Sequence, residues 1–423
     1  MGKYLFYLLL SFSFCNAQAL LEHRLKRQLR KIPAFKEAFV GVSVSELEIS
    51  EPLVSINENK YMTPASNTKL LTYLGAIQNF DSFPSLFYSI KNDSVIQFQS
   101  SGYPLLLHPF YPDPKLTDFF KQDFDFEYVI PSVGPKPQGP GWSWDDYSYY
   151  YASERSAFPI YGNAVGITKV NNEVKTLPSG FDFVLKSDSM APMALRDKDA
   201  NRFQINLLKL KEGDTLYRPF ITSDSLFVKL LGDAVGKEIV ISTAEDKALW
   251  TPLYTGAEEL LYKGLLQNSD NGIAEALLIM IAEKNNGVLL EQQAIDSLQK
   301  KWSQWTPDPF IWVDGSGVSR YNMFTPRSLV AVLKEIYITS SWDQIKTLFP
   351  SGGISGTLKS YNVNQVYGKT GTLRHNHNLS GYLITKRGKT LVFSVMVNHF
   401  TSPTSEIRSG IGKVLSWLQH KVK

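Results

Sequence analysis

The sequence predicts an α+β protein: a five-stranded antiparallel sheet with helices on both faces and a β-rich segment inserted partway along the chain. Three observations predict it. Strand-like runs fall at both ends of the chain, Phe39 to Val44 and Leu53 to Ile56 early, then Val366 to Lys369, Leu379 to Thr385 and Thr390 to Asn398 late. Helical periodicity accompanies these runs at each end. Between them, residues 81–244 change character, with aromatics, prolines and short β-prone runs in place of long helical patterns.

Taken in order, Leu21 to Lys31 is a basic, Leu-bearing helix candidate, followed by the two early strands as a hairpin. Pro64 and Ser66 suit a helix start, and Leu70, Leu71, Leu74 and Ile77 give the helix to Asn79 a broad apolar face. Within the inserted segment, strands are expected at Ser94 to Phe98, Tyr128 to Val133, Phe181 to Leu185 and Glu238 to Ser242. Helices return at Gly256 to Gln267, Ile273 to Glu283, Glu291 to Gln304 and Pro326 to Tyr337, and Ser405 to Gln419 closes the chain as an amphipathic helix. The division expected is a signal peptide at 1–19, a first catalytic part at 20–80, the insertion at 81–244 and a second part at 245–423.

Three short motifs carry the chemistry. In Ser66-Asn67-Thr68-Lys69 a hydroxyl and an amine lie three residues apart, so on a helix they share one face. That pairs a nucleophile with a base. The amine can act as a base near neutral pH only if burial or a nearby positive charge lowers its pKa. The same spacing at Ser297-Leu298-Gln299-Lys300 falls in a polar stretch and reads as a solvated face. Downstream stand Ser269-Asp270-Asn271, expected in a turn between two buried helices, and Lys369-Thr370-Gly371, expected on an inner strand facing the cleft. Ser-x-Asn recurs at Ser55 and Ser360, whereas Lys-Thr-Gly occurs once.

In that order the motifs resemble those of the penicillin-interacting serine enzymes. The chain resembles in particular the D-alanyl-D-alanine carboxypeptidase/endopeptidase family, the class C low-molecular-mass penicillin-binding proteins of the penicillin-binding protein 4 type. Further matching stretches are Gly141-Trp142-Ser143-Trp144-Asp145-Asp146, Asn268 to Leu277, Asp314 to Arg320 with Asn322, and Gly368 to Leu373 followed by Leu379-Ser380-Gly381-Tyr382. The insertion is shorter than in family members that carry two inserted domains. The resemblance implies a β-lactamase/transpeptidase-like fold and a periplasmic enzyme that cleaves peptidoglycan stem peptides at D-alanine and is acylated by β-lactam antibiotics.

On that reading Ser66 attacks, Lys69 takes its proton, Ser269 relays a proton to the leaving amine and Asn271 holds the substrate amide. Lys369 and Thr370 bind the terminal carboxylate, and Lys369 helps to depress the Lys69 pKa. The backbone N–H groups of Ser66 and Thr372 form the oxyanion site. Asp145 or Asp146, together with Arg320, is implied to grip the zwitterionic end of diaminopimelate. An interdomain salt bridge is the other role open to Arg320.

Composition leaves other classes without support. A net charge of +4 over 423 residues, with no Lys/Arg run interleaved with aromatics, gives no nucleic-acid signal. No cofactor or metal is called for: His375 and His377 lack acidic or cysteine neighbours and read as solvated loop residues. Asp314-Gly315-Ser316-Gly317 reads as a structural turn, and the Trp142 to Tyr151 aromatics serve either packing or substrate lining. Met1-Gly2-Lys3, the apolar run Tyr4 to Phe14 and Ala17-Gln18-Ala19 read as an export signal, with no later membrane segment. The only cysteine, Cys15, falls there, and the bulky Phe14 before it argues against a lipoprotein. Two alternatives stand beside the main reading. A β-lactamase would need a deacylating element, and no Glu-x-x-x-Asn occurs between Ser66 and Ser269. A non-catalytic peptidoglycan-binding protein would not need the complete catalytic set.

Overall fold

The structure is a computed structural model that describes residues 18–49, 51–243 and 250–422. Residues 1–17, with Cys15 and most of the expected export signal, lie outside the described residues. The principal sheet has five antiparallel strands in the order Val366–Leu373, Asn376–Ile384, Thr390–Asn398, Phe39–Glu46, Pro52–Ile56. Both ends of the chain therefore build one sheet, as the strand-like runs at each end predict.

Side chains alternate between two cores because successive residues of a strand face opposite ways. Phe393, Val395 and Val397 join Val42, Val44 and Leu379 in a core covered by the opening helix, residues 18–30, and the closing helix Thr404–Lys421. Val392, Met396 and Tyr382 join the opposite core, with Leu70, Leu74, Leu277 and Leu333 from the helices Lys69–Asn79, Asn271–Asn286 and Pro326–Thr339. Strand Thr390–Asn398 is buried on both faces, which is why it reads as a nearly unbroken apolar run.

Local signals explain the helix ends. Asp270 caps Asn271–Asn286 by accepting from the Ile273 N–H at 3.0 Å, and Gly287 closes the same helix in the left-handed region. Thr325 caps the helix that opens at Pro326.

One expectation fails. Lys369-Thr370-Gly371 lies on the edge strand of the sheet, with one long pairing partner, Asn376–Ile384, and not on an inner strand. The outer side of this strand is covered near residues 366–368, where Gly368 N–H donates to the Pro350 carbonyl and Gly352 N–H to the Val366 carbonyl; an uncovered stretch of edge is the kind of surface an extended peptide can use. A further shift concerns the insertion. Its mixed sheet runs Ile239–Ser242, Asp125–Val129, Val95–Gln99, Pro84–Asn92, Thr251–Tyr254. The last strand belongs to this sheet although it lies beyond residue 244, because it pairs with Pro84–Asn92. Two three-stranded sheets complete the segment. Its aromatics gather around Phe98, which packs against Phe120, Tyr128 and Phe158, and they continue the same core that holds Leu70, Leu74 and Leu277.

Candidate active site

Ser66 sits in a single 3-10 turn, Ala65–Thr68, that leads into the helix Lys69–Asn79. The turn is pinned to the sheet. Asn67 Nδ2 donates to Ser380 Oγ at 2.7 Å, and Asn378 Nδ2 donates to the carbonyls of Pro64 and Thr63 at 2.8 and 2.9 Å. Two glycines make room for it. A Cβ on Gly371 would collide with the Pro64 carbonyl oxygen, and one on Gly317, whose φ is +81°, with that of Ala65. The third motif and the Asp314 loop thus contribute close backbone approach as well as side chains.

Lys69 is fully buried, and its Nζ donates to Ser66 Oγ at 3.1 Å, Asn271 Oδ1 at 2.6 Å and the Ser316 carbonyl at 2.7 Å. Burial pulls its pKa down to about 8, against the opposing pull of the Glu275, Asp270 and Asp314 carboxylates. Lys369, also fully buried, donates to Ser269 Oγ at 2.8 Å and to the Thr370 carbonyl at 2.9 Å. Burial first, and then the charge of Lys69, hold its pKa well below the usual lysine value. The expected like-charge effect therefore falls on Lys369, while burial is the chief cause at Lys69. Ser269 adopts φ +59°, a left-handed conformation uncommon for serine, in the turn before the Asn271 helix. Thr370 Oγ1 donates to Thr357 Oγ1 at 2.7 Å, and Asn271 Nδ2 donates to the Tyr151 carbonyl at 2.6 Å.

These residues open on a cleft of about 640 Å³ lined by Ser66, Ser269, Asn271 and Thr372, with Asp145, Asp146 and Arg320 on its wall. Lys69, Lys369 and Thr370 lie behind that lining. Arg320 is exposed and forms no ion pair among the described residues, so the structure gives its salt-bridge reading no support. Asp146 accepts from Tyr151 OH at 2.6 Å. Trp142 belongs to the scaffold: its Nε1 donates to Asp314 Oδ2 at 2.9 Å and the Arg155 guanidinium lies 5.1 Å over its ring. Trp144 is 73% exposed, and Ser297 and Lys300 sit on a solvated helix face.

Glu275 and Arg155 escaped the sequence reading. Glu275, one turn after Asn271, is buried; it accepts from the backbone N–H groups of Gly315 and Ser316 at 3.2 and 2.8 Å and pairs with Arg155 from the insertion. Asp314 accepts from Gly317 and Ser319 N–H and from Asn322 Nδ2, fixing the loop whose Ser316 carbonyl holds Lys69. The loop is a structural turn, as expected, and it also holds the Lys69 amine. A charged residue inside the otherwise apolar run Ile273 to Ala282 was the available signal for Glu275. His377 is a correction of another kind. It is a fully buried strand residue and not a solvated one, whereas His375 is exposed in the preceding turn. Among the described residues no group of three His, Cys, Asp or Glu could hold a metal ion, and no helix is long and apolar enough to cross a membrane.

Comparison with known proteins agrees with this architecture. The chain is 23% identical over 427 residues to D-alanyl-D-alanine carboxypeptidase DacB of Haemophilus influenzae, covering 88% of this chain and 87% of that one. The crystal structure of penicillin-binding protein 4 (dacB) from the same organism superposes with a TM-score of 0.73 at 18% identity, covering 94% of this chain and 99% of that chain. The same protein complexed with a novel β-lactam gives a TM-score of 0.69 at 17% identity, with the same coverage. At these identities the superpositions establish the fold, that of the penicillin-binding transpeptidase-like proteins. Residues 21–119 and 237–418, more than half of its length, match the D-Ala-D-Ala carboxypeptidase 3 (S13) family, and the chain belongs to that family.

Proposed function

We propose that this protein is a serine D-alanyl-D-alanine carboxypeptidase/endopeptidase that acts on peptidoglycan stem peptides through an acyl-enzyme on Ser66 and is acylated there by penicillins. The observation that carries the reading is the convergence of Ser66 with the buried amine of Lys69, 3.1 Å away, in a cleft shared by Ser269, Asn271 and the Lys369 strand. Neutral Lys69 accepts the Ser66 hydroxyl proton as Oγ attacks the carbonyl carbon of the penultimate D-alanine. The oxyanion meets the backbone N–H groups of Ser66 and Thr372, a preorganised pair of the kind that contributes roughly 3 to 4 kcal/mol. The C–N bond then breaks, and the proton passes through Ser269 to the departing amine while Lys369 and Thr370 hold its carboxylate. Water hydrolyses the ester and restores Ser66.

Asp145 or Asp146 and Arg320 fit a substrate side chain that ends in both an ammonium and a carboxylate, as diaminopimelate does. The Arg320 guanidinium, without an ion-pair partner among the described residues, supports this role. Residues 20–80 and 255–423 are proposed as the catalytic unit, the insertion running on through its last strand Thr251–Tyr254 and contributing the Asp145 to Tyr151 wall. Export by residues 1–19 to the periplasm completes the reading. Incubation with defined muropeptides, products identified by mass, should release D-alanine. Peptide mapping after benzylpenicillin treatment should find the adduct on Ser66. An adduct on Ser297 or Ser316, or label that is bound but never covalent, overturns the assignment; fast release of hydrolysed penicillin with no D-alanine released would mark a β-lactamase.

A further inference from the structure

Behind the cleft wall a chain of two buried side chains leads away from Thr372. Thr372 Oγ1 lies 2.7 Å from His377 Nδ1, its partner in register on the neighbouring strand, and His377 Nε2 lies 2.6 Å from Tyr361 OH. His377 is fully buried, Tyr361 is 4% exposed, and the two rings lie nearly parallel at an interplanar angle of 17°. Thr372 itself is exposed and lines the cleft beside Ser66.

Proton accounting decides how this chain is wired. Burial, helped by the positive charge of Arg408, brings the His377 pKa down to about 3, so the ring is neutral with one N–H. Burial raises the Tyr361 pKa, so its phenol keeps its proton. Among the described residues that phenol has one side-chain hydrogen-bond partner, His377 Nε2. If Nε2 carried the ring proton, the phenol hydrogen would be buried with no acceptor in that contact, a cost that native interiors avoid. Tyr361 therefore donates to Nε2, the ring proton sits on Nδ1, and Nδ1 donates to Thr372 Oγ1. With its oxygen engaged as acceptor, the Thr372 hydroxyl keeps its own hydrogen free to donate, and Thr372 lines the cleft.

We propose that Tyr361 and His377 are positioning residues that lock the Thr372 hydroxyl as a hydrogen-bond donor facing the cleft, and that this donor selects substrates ending in a free carboxylate. The inference rests on the peptidase reading above, and it deepens that reading by naming what sets specificity at the Lys369 strand. A neutral donor beside Lys369 discriminates a carboxylate, which only accepts, from a carboxamide, whose N–H₂ also donates.

Two measurements test it. Nitrogen-15 NMR of the histidine-labelled full chain reads the tautomer directly, and with six histidines the His377 signal can be assigned by its loss in His377→Asn. The expected signature is protonated Nδ1 and bare Nε2; the reverse tautomer overturns the proposal. In kinetics, a peptide ending in D-Ala-D-Ala is compared with its C-terminal amide. His377→Phe should raise KM for the free acid by roughly tenfold to a hundredfold, the worth of a hydrogen bond to a charged group. The amide should change little. His377→Asn, whose amide can donate from near the Nδ1 position, should keep most of the preference, which a purely structural role would not produce. An unchanged ratio between acid and amide in His377→Phe overturns the proposal. Should that variant fail to fold, the tautomer of the wild-type chain decides. Wild-type protein inactive on both peptides would instead overturn the peptidase reading, leaving the tautomer measurement to judge the relay alone.

Discussion

Arg155 of the inserted segment grips Glu275 of the helix Asn271–Asn286 with two nitrogens, Nε at 2.9 Å and Nη2 at 2.7 Å, and reaches Glu291 with the third at 2.6 Å. All three side chains are almost sealed from solvent. This pairing ties the insertion to the surroundings of Lys69: Glu275 holds the backbone of Gly315 and Ser316, and the Ser316 carbonyl holds Lys69. Arg155→Met should destabilise the fold by about 3–5 kcal/mol, because two buried carboxylates would face each other without their cation. Arg155→Lys should recover only part of this, since an ammonium cannot supply the planar fork. Denaturant midpoints measure both, and an unshifted midpoint for Arg155→Met contradicts the argument.

Acylation should follow the protonation of Lys69. Its folded-state pKa of about 8 lies below the ordinary lysine value, so the neutral base fills in as pH rises. The acylation rate constant for benzylpenicillin should climb between pH 6 and 9 with a midpoint near 8, then level off. The sign for stability runs the same way. Between the lowered folded value and the ordinary one the unfolded chain binds a proton that the folded chain does not, so the cost of burying this amine is relieved as pH rises across that interval. Lys69→Ala should cut acylation by several orders of magnitude while circular dichroism stays unchanged. A rate that is flat with pH would mean that another group limits proton removal.

What could be read from the sequence was local. The three-residue step from Ser66 to Lys69, the turn at Ser269-Asp270 before a buried helix, and the strand Thr390 to Asn398 are set by neighbours within a few residues, and all appear as expected. Strand order is not local. The pattern of Val366 to Leu373 is that of a well-buried strand, and only tertiary contact reveals that the Ser66 turn, rather than another strand, packs against it through Gly371. His377 misled for the same reason. Its partner Tyr361 comes from outside the strand, so two histidines near a turn looked alike although one is exposed and the other is buried. The insertion's true last strand, Thr251–Tyr254, likewise depends on pairing with Pro84–Asn92 and has a weak pattern of its own.

Export makes a separate prediction from the first nineteen residues. Cleavage after Ala17 or Ala19 should leave a mature chain beginning at Gln18 or Leu20, in keeping with a short apolar run followed by small residues. N-terminal sequencing of the exported protein reads this directly. A lipid-modified N-terminus at Cys15 would show that the segment anchors the protein instead.

The final prediction concerns the acidic and basic groups that line the cleft together. Asp145, Asp146 and Arg320 line one cavity with Ser66, yet Arg320 forms no ion pair among the described residues. A guanidinium left open beside two carboxylates suits a ligand that brings both charges, and the free end of diaminopimelate carries an ammonium and a carboxylate on one carbon. Arginine can grip such a carboxylate with two parallel hydrogen bonds. Arg320→Ala should therefore lower kcat/KM by roughly tenfold to a hundredfold for a peptide with that free end, in line with the loss of a charged hydrogen bond. A peptide with lysine in its place keeps the ammonium and lacks the carboxylate, so it should be spared. Asp145→Asn and Asp146→Asn complement this, because whichever aspartate meets the ammonium should weaken both peptides alike. Since Arg320 is exposed and makes no structural ion pair, its melting temperature should stay within experimental scatter of the wild type. Equal losses on the two peptides, or a falling melting temperature, would assign Arg320 to the scaffold and not to substrate recognition.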